Sequence, residues 1–314
     1  MMGRLPGVFF ICILISSIFI KCRNKVEQYD SPIKGTIFIS VDESFEPVIK
    51  EQIKVYESIH PGTHIEASYK SEADCFRDLD KDSTRLIIVS RGLTDDENDY
   101  YKQKLSFKPQ WDVLAYDAVV VLVNIHSNDS LFTIDKLKHF LDGTDTTKPI
   151  VVDGKNATST VLLLKDSLLK GKAFGKNVMA ASDSKALINY VSNNINAIGF
   201  IGFSWVGDED DPVQQQYKKF IRLGLLECKS CGQNVYARAS QATISTGEYA
   251  LVRPLFFILK ENALGLGTGF VTFLSLEKGQ LIFRRSYLAP AKMDFRLRKS
   301  MLETNQNLLN KTSQ

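Results

Sequence analysis

What most constrains this chain is an alternation that recurs along it: a short apolar run, a small or charged cluster, then a helical pattern. Residues 35–41 (GTIFISV) are rich in β-branched side chains and give way at once to Asp42-Glu43-Ser44. Phe45, Val48, Ile49, Ile53, Tyr56 and Ile59 then recur at three- and four-residue spacing, with Pro61-Gly62 as the stop. Residues 64–69 alternate like a second strand, and 71–79 read as a helix with a polar start. Residues 86–89 (LIIV) form a fully apolar strand that ends in Ser90-Arg91-Gly92, before an acidic helix start at Thr94-Asp95-Asp96-Glu97. Strands that alternate with helices predict parallel α/β architecture.

The same rhythm continues. Residues 118–124 (AVVVLVN) read as a buried strand, and 133–141 as a short helix capped by Thr133. Residues 148–152 (KPIVV) predict a strand that runs into a polar stretch, with a helix over 160–169. Ser182-Asp183-Ser184 caps a helix over 185–192, and 197–203 (AIGFIGF) is a glycine-containing strand. Past Val235 the texture predicts extended segments at 249–260, 269–276 and 280–285. A chain of 314 residues is long enough for two lobes.

Four of the strand ends carry hydroxyls or charge: Asp42 with Ser44, Ser71-Glu72-Ala73, Ser90-Arg91, and Thr158-Ser159-Thr160. In an open α/β sheet such ends converge on a crevice, where helix N–H groups and hydroxyl donors can hold an anion. Each cluster taken singly reads as an ordinary helix cap, and only their joint placement points to an anion. Composition narrows the anion. The formal net charge is only +3, and Arg4 and Lys21 supply two of those charges. A nucleic-acid partner needs a far larger basic excess, so any anion must be recognised by local geometry.

The first 22 residues serve delivery. The apolar run 8–20 (VFFICILISSIFI) follows Arg4 and precedes Lys21-Cys22. It falls short of the ~20 residues that a membrane span needs and suits an export signal. Cys22 stands where a lipoprotein signal places its lipidated cysteine, although Lys21 replaces the small residue expected before it. A lipoprotein signal, an uncleaved anchor and a cleaved signal all put residues 32–314 outside the inner membrane. Three cysteines lie beyond: Cys75, Cys228 and Cys231. Cys228 and Cys231 form a C-x-x-C in a polar turn without a second ligand pair, which favours a local disulfide over zinc or redox chemistry.

Catalytic motifs are missing. Gly202-Phe203-Ser204-Trp205-Val206 fails G-x-S-x-G at its last position, no H-E-x-x-H or Walker loop occurs, and Gly265 to Gly269 is not a dinucleotide loop. Asp208-Glu209-Asp210-Asp211 lacks the alternating ligands of a calcium loop. Trp111, Trp205, Phe256 and Phe257 read as core rather than as a sugar platform. The expectation is a binding protein that is not an enzyme and takes no cofactor or metal.

Taken together, the segments resemble the phosphate-binding proteins of ABC phosphate importers, within the periplasmic-binding-protein superfamily, and are most similar to its divergent Bacteroidetes-like lipoprotein branch. The similarity covers about residues 35–297. It is carried by SNNINAIGFIGFSWV (192–206), by GEYALVRPLFFIL (247–259), and by GFVTFLSLEKGQLIFRRSYLAP (269–290) with its Gly-Gln turn and final proline. The resemblance implies a type II two-lobed α/β fold with the ligand in the cleft. Residues 1–22 would be the export signal, 23–34 a tether, 35–121 the first part of lobe 1, 122–244 lobe 2, 245–300 the return to lobe 1 and 301–314 a polar tail.

The resemblance also implies a site. Asp42 and Ser44 match the first binding loop, Ser71-Glu72 the second without its glycines, and Ser90-Arg91 the third, where the family has Ser-Asp. Asp153, Asn156, Thr158, Ser159 and Thr160 match the fourth. With Arg91 in the carboxylate position, the acceptor for protonated phosphate must be Asp42, Asp153 or nothing. The implied function is extracytoplasmic capture of phosphate, or a similar tetrahedral oxyanion, by a monomer that serves importer membrane subunits and is tethered through Cys22. The alternative is an oxyanion sensor or adhesion module with a degenerate site.

Overall fold

In the computed structural model, residues 30–154 and 158–293 are described. The first strand, β1 (Gly35–Asp42), buries Ile37, Ile39 and Val41 and ends in a single turn, Glu43–Phe45. Helix α1 (Glu46–Ile59) follows, with Val48, Ile49, Ile53 and Tyr56 turned to the core. Then come β2 (Thr63–Lys70), α2 (Glu72–Leu79), β3 (Thr84–Val89) and α3 (Asp95–Leu105). β1 pairs in parallel with both β2 and β3, as the alternation predicts. Thr94 and Glu97 cap α3 reciprocally, which satisfies two of its free N-terminal N–H groups.

Strand β4 (Gln110–Asn124) is much longer than its apolar run, because only its second half is buried on both sides. Beyond it lie β5 (Leu131–Phe132), α4 (Ile134–Asp142) and β6 (Ile150–Val152). Helix α5 (Ser159–Leu163) continues into a wider turn at Leu164–Leu168. β7 (Val178–Ala180), α6 (Ser184–Asn193) and β8 (Ile198–Gly202) complete a parallel set in which β6 pairs with β7 and β8. A turn at Phe203–Trp205, α7 (Pro212–Tyr217), β9 (Ile221–Leu223), β10 (Leu225–Glu227) and β11 (Tyr236–Ala237) lead to α8 (Gln241–Ser245). Cys228 and Cys231 are joined by a disulfide in the turn between β10 and β11.

The chain returns through β12 (Val252–Leu259), which lies antiparallel between β3 and β4. It ends with α9 (Leu266–Ser275), α10 (Glu277–Arg285) and β13 (Ala289–Pro290). The strand order is β2-β1-β3-β12-β4-β8-β6-β7. Two large apolar cores divide this sheet. One gathers Ile37, Phe45, Leu86, Ala115, Leu255 and Phe270; the other gathers Ala118, Val121, Ile150, Leu187, Phe200 and Leu251. The chain crosses between them along β4 and again at the start of β12, so two connecting strands run between two lobes.

Two expectations fail at the C-terminal end. Residues 269–275 and 280–285 are helical, not extended. In α9 the buried Leu266, Phe270, Phe273 and Leu274 recur at helical spacing, and packing on β1 and β12 outweighs the β-branched texture. The Gly279-Gln280 pair lies inside α10 and forms no turn. A Cβ at Gly279 would strike the Phe273 carbonyl, so glycine lets the two helices close together. Gln280 donates to the Leu274 and Leu114 carbonyls at 2.8 and 3.0 Å. Trp111, expected in the core, is 39% exposed and lies against Phe256, whereas Trp205 and Phe257 are buried.

Candidate functional site

The ends of β1 and β6 and the start of α5 meet where the lobes join. Asp42 closes β1 and is fully buried. Its Oδ1 accepts from the Ser44 amide at 2.9 Å, which caps the turn after the strand. Across the junction, the Ser159 amide donates to Asp42 Oδ2 and the Ser159 hydroxyl to Oδ1, both at 3.0 Å. Ser44 Oγ lies 3.5 Å from Asp153 Oδ2 and 3.4 Å from Thr160 Oγ1. Asp42, Ser44, Asp153, Ser159 and Thr160 therefore share one buried cluster.

The positive charge in the cluster is Arg253, near the start of β12 and 2% exposed. Its Nη1 donates to Ser159 Oγ at 2.7 Å and to Thr160 Oγ1 at 2.9 Å. Nε and Nη2 donate to Asp117 Oδ2 at 3.2 and 2.8 Å, and the guanidinium stacks over Phe45. Burial works against the charge, yet the carboxylates of Asp117, Asp42 and Asp153 outweigh it and hold the Arg253 pKa above its ordinary value. Gly202 makes room for this arrangement: a Cβ there would lie 2.5 Å from Arg253 Nη2 and 3.2 Å from the Ser44 carbonyl.

Asp153 is fully buried, and burial pushes its pKa up to about 7, with Asp42 adding to the rise against the pull of Arg253. Its Oδ1 has no hydrogen-bond partner among the described residues. Gly154 takes a left-handed turn, φ 79°, and a Cβ there would collide with Thr158 and Glu43. Glu43 rises to about 7 as well, through burial and then the charges of Asp153, Asp42 and Asp183. Beside it a cavity of about 200 Å³ is lined by Glu43 and Glu46 from one lobe and Asp183, Ser184, Lys185 and Trp205 from the other. A larger apolar cavity, about 640 Å³ near Pro32, Tyr56 and Leu276, contains none of the donors described above.

The remaining candidates from the sequence have other partners. Thr158 caps α5, accepting from the Val161 amide and donating to the Asp153 carbonyl at 3.0 Å. Ser71 caps α2 and bonds Asp74. The Ser90 amide and hydroxyl both donate to Glu72 Oε2, at 2.8 and 2.5 Å. Glu72 is 2% exposed; burial and then Asp42 push its pKa up. Arg91 does not join the cluster: it forks onto Glu97 at 2.7 and 2.9 Å, stacks on Phe76, and its side chain is 43% exposed. Asn156 and Cys22 lie outside the described residues. Local pattern reading passed over Arg253 and Asp117, and read Ser184 only as part of a helix cap. Arg253 did stand in the quoted VRPLFF segment, but a buried arginine on a strand has no local signature.

A family model described as a PBP superfamily domain matches residues 27–277. The chain belongs to the PBP superfamily. Among its PBP relatives, the phosphate-binding protein PstS of a bovine strain of Staphylococcus aureus is 21% identical over 297 residues, covering 88% of this chain and 86% of its own. PstS of strain COL is 22% identical over 298 residues, with the same coverage. A Clostridium perfringens structure, described as a phosphate ABC transporter substrate-binding protein with bound phosphate, matches with TM-score 0.69 and 19% identity, over 82% of this chain and 100% of its own. A Vibrio cholerae ABC-type phosphate transport receptor matches with TM-score 0.60 and 18% identity, over 81% and 99%. These likenesses show the two-lobed PBP fold.

Proposed function

We propose that this PBP-superfamily chain is an extracytoplasmic solute-binding protein that holds phosphate, or a similar tetrahedral oxyanion, between its lobes for an ABC-type importer. One observation carries the reading: a buried guanidinium and three buried hydroxyls, Arg253 with Ser44, Ser159 and Thr160, converge from both lobes. An arginine fork with short hydroxyl donors matches the geometry of a tetrahedral oxyanion, and burial strengthens each bond. The PstS names of its relatives support phosphate as the ligand. The guanidinium in this reading is Arg253, while Arg91 stands outside with Glu97. Asp153, whose Oδ1 has no hydrogen-bond partner among the described residues, is the carboxylate at hand to accept from a protonated oxyanion.

The chain acts by binding and release rather than by turnover. Contacts from both lobes favour the closed form, which an importer's membrane subunits would read. Delivery by residues 1–22 and tethering at Cys22 fit a monomer held at the outer face of the inner membrane. Among the described residues no helix is long and apolar enough to cross a membrane.

Titration calorimetry of the full chain against phosphate, sulfate, arsenate and molybdate, with melting curves alongside, tests the reading. At 100 times its dissociation constant phosphate should add about 2.7 kcal/mol of stability. Silence for all four anions would end it, and turnover of phosphate esters would point to catalysis instead.

A further inference from the structure

The donors that recommend the junction as an oxyanion site already serve an anion of the chain's own. The Asp42 carboxylate accepts three hydrogen bonds, one from the Ser44 amide and two from Ser159, whose hydroxyl in turn accepts from Arg253 Nη1. Asp42 belongs to β1 in one lobe and Ser159 to α5 in the other, so these bonds tie the lobes together. Within the first lobe, Glu72 likewise takes both the amide and the hydroxyl of Ser90. All four strand-end clusters thus spend donors on internal carboxylates, Ser71 on Asp74 among them.

We infer that Asp42 is a built-in competitor for the cleft: its carboxylate latches the lobes by occupying the Ser44 and Ser159 donors beside Arg253, and an entering oxyanion must displace it. The inference rests on the oxyanion reading for the identity of the entering ligand, but not for the latch. The physical reason is donor arithmetic. Each N–H and O–H carries one hydrogen, so the Ser159 amide and hydroxyl cannot serve Asp42 and a bound oxyanion in full together. Two anions side by side in a buried site also repel strongly, and Arg253 is already shared with Asp117. Asp42 therefore sets the threshold for binding, lowering affinity below what the bare donor set would reach. It also holds the lobes closed through contacts that a ligand would otherwise supply.

Asp42→Asn in the full chain tests this, because it keeps the shape and one acceptor but removes the charge and places an N–H donor toward Ser159. Phosphate affinity by calorimetry should rise at least ten-fold, and small-angle X-ray scattering without added anion should show a larger radius of gyration than wild type. Weaker phosphate binding by the variant would overturn the inference, since Asp42 would then be a ligand acceptor. An unchanged radius with unchanged affinity would overturn it too. Expansion of the variant with no binding of phosphate, sulfate, arsenate or molybdate by either protein would support the latch and overturn the oxyanion reading instead. If the asparagine variant does not fold, Asp42→Ser, which keeps an acceptor for the Ser44 amide, replaces it with the same expected outcomes.

Discussion

Arg91 and Arg253 stand at the same end of the central sheet, since Arg253 lies three residues from Phe256, the partner of Val89 at the end of β3. Their surroundings differ in every physical respect. Arg91 is in a loop, 43% exposed, and forks onto Glu97 six residues away. Arg253 is 2% exposed and bonds Asp117, Ser159 and Thr160 at separations of 136, 94 and 93 residues. An exposed pair contributes ~1 kcal/mol or less, while removing one partner of a buried pair costs ~3–5 kcal/mol. The loop arginine ornaments a helix cap, and the strand arginine ties the two lobes to one another.

The sharpest way to break this contrast is Arg253→Met. It leaves Asp117 and Asp42 buried without their cation, and urea unfolding should show a loss of about 3–5 kcal/mol, with phosphate heat abolished. A cost below about 1 kcal/mol would mean that the cluster is not what joins the lobes.

The pH profile comes next. Asp153 and Glu43 have folded pKa values raised to about 7, so between the ordinary carboxylate range and 7 the folded chain binds more protons than the unfolded one. Stability from these groups is therefore present at low pH and falls as pH rises toward 8. Glu97 runs the opposite way: Arg91 holds its pKa below the usual value, so its contribution is present near neutrality and fades on acidification. Melting curves from pH 5 to 8 should fall for wild type and flatten in Asp153→Asn. A flat wild-type profile would count against the buried carboxylate.

Gly202→Ala should cost about 1–3 kcal/mol, because the new methyl overlaps the Arg253 guanidinium in a filled core. Thermal unfolding reads it, and a neutral result would show that Arg253 has room to move. The smallest effect belongs to Arg91→Met, at about 1 kcal/mol or less, with phosphate affinity within two-fold of wild type by calorimetry. A larger loss of affinity would return Arg91 to the site.

Much of the fold was legible residue by residue. β-branched runs marked β1, β3 and the buried half of β4, and hydroxyl or acidic caps marked helix starts at Thr94, Thr133 and Asp183. The C-terminal helices were not legible, because Val271, Thr272 and Phe273 favour a strand until α9 packs on β1 and β12. In the candidate site, Asp42, Ser44, Glu72, Ser159 and Thr160 were visible as members of strand-end clusters, and Asp153 through the family resemblance. Arg253 and Asp117 were not, since each looks like an ordinary charged residue among its neighbours.

By itself, the order of residues determined the alternation of strands and helices, the caps, and the short C-x-x-C loop that closes as a disulfide. These depend on dihedral preference, periodicity and hydrogen bonds within a few residues. Only the tertiary structure decided which charges meet. Asp42 reaches Ser159 across 117 residues and Arg253 reaches Asp117 across 136, through the register of β12 against β4 and the approach of two lobes. Such partners are chosen by burial, where an uncompensated charge is costly, and burial is a property of the packed molecule rather than of any segment.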